Sequence, residues 1–330
     1  MGELVKVNDL RKWFPVRTGL FSRSKRRYIY AVDGVSFSIR EGEIFCLVGE
    51  SGSGKTTTGR LLLRLEKPTS GEILFEGKSI YSLDKKGLKE FRRKAQMIFQ
   101  DPFSSLDPRM SVFDNICEGL IIHKIGGSRE ERINIVSKAL ESVGLYPPEN
   151  FLSKYPHELS GGQLQRIAIV SALVLGPKFI VADEPVSMLD MSTRGSVIKT
   201  MLDLRRNMNV TFLLITHDLG LVKYIGDRVA VIYLGKIVEK GDAEDLIDAP
   251  YHPYSQALIS AVPSPDPSKK IRDVRIRGDI TMSLEVAKGC RFAPRCTLAD
   301  EKCREEEPEL IEVSNDHYVA CHKAQVGNQN

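Results

Sequence analysis

An α/β fold on a parallel sheet is what this sequence predicts. The run Ile44-Phe45-Cys46-Leu47-Val48 is apolar without a break, Gly49-Glu50-Ser51-Gly52-Ser53-Gly54-Lys55-Thr56 follows it, and Thr57 to Leu63 reads as a helix. Strand, glycine-rich loop and helix in that order are the context of a phosphate-binding P-loop. Further on, Phe179–Ala182 and Val210–Ile215 are continuously apolar, as strands covered on both faces tend to be, and the stretch Thr193 to Arg206 between them is helical in pattern, which makes a βαβ crossover. With 330 residues and 42% hydrophobic content the chain is long enough for one large domain and a smaller one.

Taken in order, Val5 and Val7 open a short strand pattern, and Val35-Ser36-Phe37-Ser38-Ile39 alternates as a half-buried strand does. Between them Arg17, Arg23, Lys25, Arg26 and Arg27 lie among glycine and serine, which reads as a basic surface loop. Pro68-Thr69-Ser70-Gly71 is a turn, and Glu72 to Phe75 with Gly77 suggests a hairpin. Residues 101–175 are mainly helical in pattern, with segments Asn115–Leu120, Arg129–Val143 and Gly162–Leu175. After residue 240 the composition changes: Pro250, Pro253, Pro263, Pro265 and Pro267 break any long element, and a boundary near 240 separates residues 1–240 from 241–330. No internal repeat is visible.

Composition narrows the function classes. The net charge of +4, from 47 basic and 43 acidic residues, is too balanced to argue for nucleic acid or lipid binding by bulk electrostatics. There is no run of about 18 apolar residues and no signal-peptide layout at the start, so a chain in the cytosol is expected. In that reducing setting the six cysteines are not expected to pair as disulfides.

The P-loop defines a nucleoside triphosphate site in which backbone N–H groups of Gly49, Ser51, Gly52, Ser53, Gly54 and Thr57 face the phosphates, Lys55 adds a charge and Thr56 offers a hydroxyl to Mg²⁺. Leu159-Ser160-Gly161-Gly162-Gln163 is a second glycine-rich anion site at the start of a helical segment. Asp183 ends an apolar strand, where a carboxylate can hold Mg²⁺, and Glu184 beyond it can take a proton from an attacking water. His217 follows the last buried strand and Gln100 closes Gln96–Phe99. Singly, each of these is an ordinary strand-end residue.

As an ordered set, Gly49–Thr56, Gln100, Leu159–Gln163, Asp183-Glu184, Ser187-Met188-Leu189-Asp190 and His217 resemble the ATP-binding subunits of ABC transporters, over residues 1 to about 240. The resemblance implies a P-loop NTPase core of RecA type, an antiparallel β subdomain and a helical subdomain at about 101–175. It assigns Thr56, Gln100 and Asp183 to Mg²⁺, Glu184, His217 and Gln100 to catalysis, and Phe14, with Trp13 next, to stacking on adenine. It also places Leu159–Gln163 and Asp190 across a dimer, gripping the nucleotide on the partner's P-loop. Ser-Met-Leu-Asp stands where Ser-Ala-Leu-Asp is commoner, which leaves the acidic residue in place.

The tail narrows the resemblance. Tyr251-His252-Pro253-Tyr254-Ser255-Gln256-Ala257-Leu258, then Cys290, Arg295-Cys296, Cys303 and Ala320-Cys321-His322, resemble the C-terminal extension of oligopeptide and dipeptide importer ATPases. Lys12–Pro15, Gly19–Phe21, Gly59–Leu62 and Phe99–Arg109 look like the second of the two ATPases such importers carry. The resemblance implies a heterodimer with a related ATPase, two membrane permeases, an external solute-binding protein, no nucleic acid, and a peripheral place on the cytoplasmic membrane face. Oligosaccharide and nickel importers share the subfamily, and a soluble ABC ATPase is the alternative of another class. Cysteines 290, 296, 303 and 321 lack the close pairs of structural zinc sites; a [4Fe–4S] cluster, as in some relatives, a zinc ion and buried thiols all remain open.

Overall fold

The computed structural model describes residues 2–16, 27–261, 278 and 288–324. Apart from Arg27, the basic stretch expected as a surface loop lies outside the described residues, as do Gly19–Phe21, Pro263, Pro265 and Pro267. The chain divides into two compact units: one of Arg40–Glu43 and Ser82–Leu214, the other of Glu3–Ile39, Ile44–Tyr81 and the described residues from Ile215 on. The extension after residue 240, expected as a domain of its own, thus shares a unit with the P-loop.

In that second unit the wholly buried strand Ile44–Val48 runs parallel to Arg228–Tyr233, with Cys46 opposite Val229 and Val48 opposite Val231. Arg228–Tyr233 pairs antiparallel with Lys236–Asp242, which pairs with His317–Val319, itself paired with Ile311–Ser314. The extension therefore continues the sheet that carries the P-loop. A separate four-stranded sheet joins Tyr28–Arg40, Glu3–Pro15, Ser70–Phe75 and Lys78–Ser79. Its two long strands reach well beyond the short alternating runs visible in sequence, and the last two form the expected hairpin, Phe75 opposite Lys78.

The first unit holds the helices Val112–Ile122, Arg129–Ser142, Gly161–Leu173 and Met191–Met208. Ser111, Ser128, Ser160 and Asp190 cap them, each side-chain oxygen accepting from the backbone N–H three residues on, so each helix starts where a free N–H finds an acceptor. Strand Phe179–Asp183, wholly buried, lies parallel to Ala95–Ile98. Its position brings Asp183 to the strand's C-terminal end, where α/β sheets place ligands.

Glu239 anchors the extension. It is fully buried, and its carboxylate accepts from the backbone N–H of Tyr251 at 2.8 Å and of His252 at 3.0 Å, with His317 Nε2 2.8 Å away. His252, itself 1% exposed, caps the helix Pro253–Ser260 by accepting from Tyr254 N–H on Nδ1 at 3.0 Å. Burial, partly opposed by Glu239, pushes the His252 imidazole down to about 4 from its ordinary 6.5. A lone pair is needed on Nδ1, so protonation removes the cap. As pH falls the unfolded chain takes up this proton near 6.5 and the folded chain only near 4. The group's contribution is therefore intact above about pH 6.5 and drains away between there and 4. Measured by urea denaturation, the protein should lose on the order of 2 kcal/mol more than His252→Asn between pH 7.5 and 4.5. Parallel losses in the two proteins would contradict this role for His252.

Candidate nucleotide site

The phosphate loop is shaped by backbone conformations that glycine alone adopts easily. Gly49, Gly52 and Gly54 have φ of 156°, 78° and 108°. A Cβ on Gly49 would lie 2.2 Å from the Ile232 carbonyl oxygen, and one on Gly54 2.0 Å from that of Ala31. The helix Lys55–Leu62 then begins on Gly54 without a side-chain cap, so its first N–H groups and its dipole point into the loop. Lys55 is buried, and its ammonium donates to the carbonyls of Gly49 at 2.7 Å and Glu50 at 2.9 Å, spanning the loop it serves. Ser53 Oγ is buried with no hydrogen-bond partner, as a group that meets a phosphate would be. Thr56 and Thr57 occupy the first helical turn and Ser51 is exposed at the loop's tip.

His217, exposed in the same unit, directly follows Thr211–Thr216 and precedes Asp218, which caps the next helix. Trp13 and Phe14 are half-buried at the end of Glu3–Pro15. Trp13 Nε1 donates to Asp33 Oδ1 at 3.0 Å and its ring meets that of Tyr30 at 5.1 Å, whereas the face of Phe14 carries the Lys12 ammonium at 4.7 Å. Trp13 is thus the more firmly held of the two. Arg291 of the extension also pairs with Asp33.

In the other unit the structure brings Gln100 and Glu184 together, Nε2 donating to Oε2 at 3.0 Å. Asp183 is 4% exposed at the strand end. Glu184 has φ of 45°, a left-handed conformation that costs a residue with a side chain about 1–2 kcal/mol. Its carbonyl accepts from Ser187 N–H at 3.2 Å and Ser187 Oγ at 3.1 Å, which hold the turn. The turn sets the backbone of Glu184, and the Gln100 amide holds the carboxylate.

Ser160 and Gln163 close a reciprocal cap at the start of Gly161–Leu173: Ser160 Oγ accepts from Gln163 N–H at 3.4 Å and Gln163 Oε1 from Ser160 N–H at 3.1 Å. Leu159 leads into this cap, Gly161 is open to solvent, and a Cβ on Gly162 would lie 2.3 Å from Thr193 Cγ2. Thr193 in turn donates to Asp190, from N–H at 3.0 Å and from Oγ1 at 2.7 Å. The glycine pair and Asp190, far apart in sequence, form one packed surface.

Cys290, Cys296, Cys303 and Cys321 line one small cavity, with His252 and His322 on its wall. Cys290 N–H donates to the Cys303 carbonyl at 2.8 Å, and Asp300 caps the helix Glu301–Glu305 that carries Cys303. Burial pushes the Cys290 thiol up to about 11 and raises Cys303 and Cys321 as well; the neighbouring cysteines add to the rise at Cys290 and Cys321, and Asp300 at Cys303. The expected metal centre, cluster or zinc, is not met as a ligand group: among the described residues no three His, Cys, Asp or Glu side chains are set together to hold an ion. The thiols come from separate turns around the cavity, Cys303 buried and Cys290, Cys296 and Cys321 half-buried, so no ready-made ligand group is formed.

Residues that sequence reasoning passed over complete the loop. Arg295 forks onto the Glu50 carboxylate and the Tyr254 hydroxyl accepts from Glu50 N–H at 2.9 Å. Both lie in tail segments noted in sequence, yet nothing there connects them with a loop two hundred residues earlier.

The sequence model of the ABC transporter family matches residues 32–187, and that of the oligopeptide/dipeptide transporter C-terminal region matches 238–303. The oligopeptide transport ATP-binding protein AppF of Bacillus subtilis is 46% identical over 97% of this chain and 97% of its own. The chain belongs to the ATP-binding subunits of ABC transporters. A second B. subtilis relative, the putative oligopeptide transport ATP-binding protein YkfD, is 46% identical over 92% of both chains. Among solved structures, the dimeric post-hydrolysis state of the ATP-binding cassette MJ0796 with ADP and Pi aligns with a TM-score of 0.63 at 30% identity, covering 72% of this chain and 98% of that one. Clostridium perfringens cbiO1, part of the cbiONQ complex, aligns equally well at 28% identity over 75% of this chain and 92% of its own. This subunit is therefore an ATPase of P-loop fold.

Proposed function

We propose that this ATPase energises an importer of oligopeptides or dipeptides, with two ATPase subunits closing head to tail on ATP. The observation that carries the reading is that one chain joins the P-loop of an ABC ATPase to the tail region of oligopeptide/dipeptide transporters, residues 238–303. Since an ATPase subunit does not touch cargo, an oligosaccharide or nickel importer would need the same machinery; the names of AppF and YkfD favour peptides. The tail also argues against a soluble ABC ATPase uncoupled from transport.

In this reading each step of hydrolysis falls to a named residue. The N–H groups of Gly49, Ser51, Gly52, Ser53, Gly54 and Thr57, with the Lys55 ammonium, bind and orient the triphosphate, and Phe14 stacks on adenine. Thr56, Asp183 and Gln100 would hold Mg²⁺, which would supply positive charge to offset that of the phosphates. Glu184 takes the proton of the attacking water while Gln100 orients its carboxylate, and His217 contacts the γ-phosphate. Leu159 to Gln163 and Asp190 close over the nucleotide of a partner, a homologous second ATPase. Among the described residues no helix is long and apolar enough to cross a membrane, so attachment to the cytoplasmic face would run through two permease subunits, fed by an external solute-binding protein.

A second element of the reading concerns the tail. That Cys290, Cys296, Cys303 and Cys321 line one cavity supports a [4Fe–4S] cluster, with zinc as the alternative, which these four thiolates would hold.

Glu184→Gln should keep ATP binding and slow turnover by about 10²-fold or more, because the amide cannot accept the proton. Near-parent ATPase rates for this variant in the assembled complex would rule out Glu184 as the base. For the tail, protein purified without oxygen should absorb broadly near ~400 nm and hold roughly four irons per chain, and Cys303→Ser should bleach it while nucleotide binding persists. Colourless protein with one zinc would establish the alternative, and metal-free protein would leave only buried thiols.

A further inference from the structure

We propose that Arg295 is a positioning residue of the ATP site, which neutralises and holds the phosphate loop's own carboxylate, Glu50. The proposal rests on the reading of Gly49–Thr56 as the phosphate site. Glu50 is held on every side. Its N–H donates to the Tyr254 hydroxyl at 2.9 Å and its carbonyl accepts from Lys55 Nζ at 2.9 Å. Its carboxylate receives the Arg295 fork, NH1 to Oε2 at 2.9 Å and both NH1 and NH2 to Oε1 at 3.3 Å.

The fork is built to stay in place. Arg295 is 8% exposed, and its guanidinium lies 5.9 Å from the Tyr233 ring centre and 6.0 Å from that of Phe292. Tyr233, Tyr254 and Phe292 pack on one another with ring centres 4.6 to 5.4 Å apart. Arg295 stands in the segment between Cys290 and Cys296, tied back by Arg295 N–H to the Phe292 carbonyl at 2.9 Å. The extension thus presents a preset cation to the back of the loop.

The chemistry follows from charge. A loop that binds a triphosphate carries a carboxylate at its second position, which repels the ligand unless it is offset. Arg295 offsets that charge and draws the side chain toward the extension. Removing Arg295 leaves a partly buried, unpaired anion on an anion site, so the loss should act on ATP affinity and leave the chemical step alone. It should also be undone by removing the anion.

The test is MgATP binding by calorimetry on the full chain, with ATPase kinetics on the assembled complex. Arg295→Gln should weaken binding about tenfold, more at low salt than at high, as one unpaired charge does. KM should rise in step while kcat stays within about twofold. Glu50→Gln alone should stay within about threefold of the parent, and the double variant should return to that range despite having lost both partners. A double variant as weak as Arg295→Gln, or an Arg295→Gln that binds like the parent, overturns the proposal. Should Arg295→Gln fail to fold by circular dichroism, Arg295→Lys decides: near-parent affinity supports charge compensation, and a tenfold loss overturns it. Lys55→Ala tests the underlying reading separately, since undiminished ATP binding there would show that the loop is not the phosphate site.

Discussion

Two backbone carbonyls, those of Ile232 and Ala31, press against the phosphate loop where any side chain on Gly49 or Gly54 would have to go. Much else depends on that close approach. It brings strand Arg228–Tyr233 beside the loop's own strand and sets the helix Lys55–Leu62 to start with free N–H groups aimed inward. It also brings Glu50 within reach of Tyr254 and Arg295. A loop of this shape offers its backbone N–H groups to an anion, and the contacts around it hold that backbone in place.

A second constraint governs the other unit, which holds Gln100, Asp183 and Glu184. Glu184 adopts a left-handed conformation that few residues with a side chain accept, and Ser187 and Gln100 keep it there. Gly162 has its side-chain space occupied by Thr193, which is bound to Asp190. Closure on a partner's nucleotide would then move the glycine pair and Asp190 together, since packed contacts shift as blocks.

The phosphate loop, the buried strands and the long helices are legible in the sequence because each carries a local signal: a glycine pattern, an unbroken apolar run or a helical period. The two long strands Glu3–Pro15 and Tyr28–Arg40 extend well beyond their signal in the sequence. Their outer parts are half-exposed and depend on partner strands, with a register shift between Asn8 and Arg11 that breaks the alternation. Glu50 with Arg295, 245 positions apart, left no trace, because a long-range ion pair has no period. The four cysteines could be grouped by composition, and their convergence on one cavity follows from turns that spacing does not encode.

The central claim is that the backbone of Gly49 to Thr56 and the ammonium of Lys55 form the triphosphate site, completed by a second ATPase subunit. The most direct measurement is a crystal structure of the Glu184→Gln subunit with ATP and Mg²⁺. The expected result is a dimer in which Lys55 Nζ has moved from the carbonyls of Gly49 and Glu50 to the phosphates, with the Leu159–Gln163 segment of the partner facing the γ-phosphate. A triphosphate bound away from this loop, or bound to it with Leu159–Gln163 of both subunits facing solvent, would contradict the account.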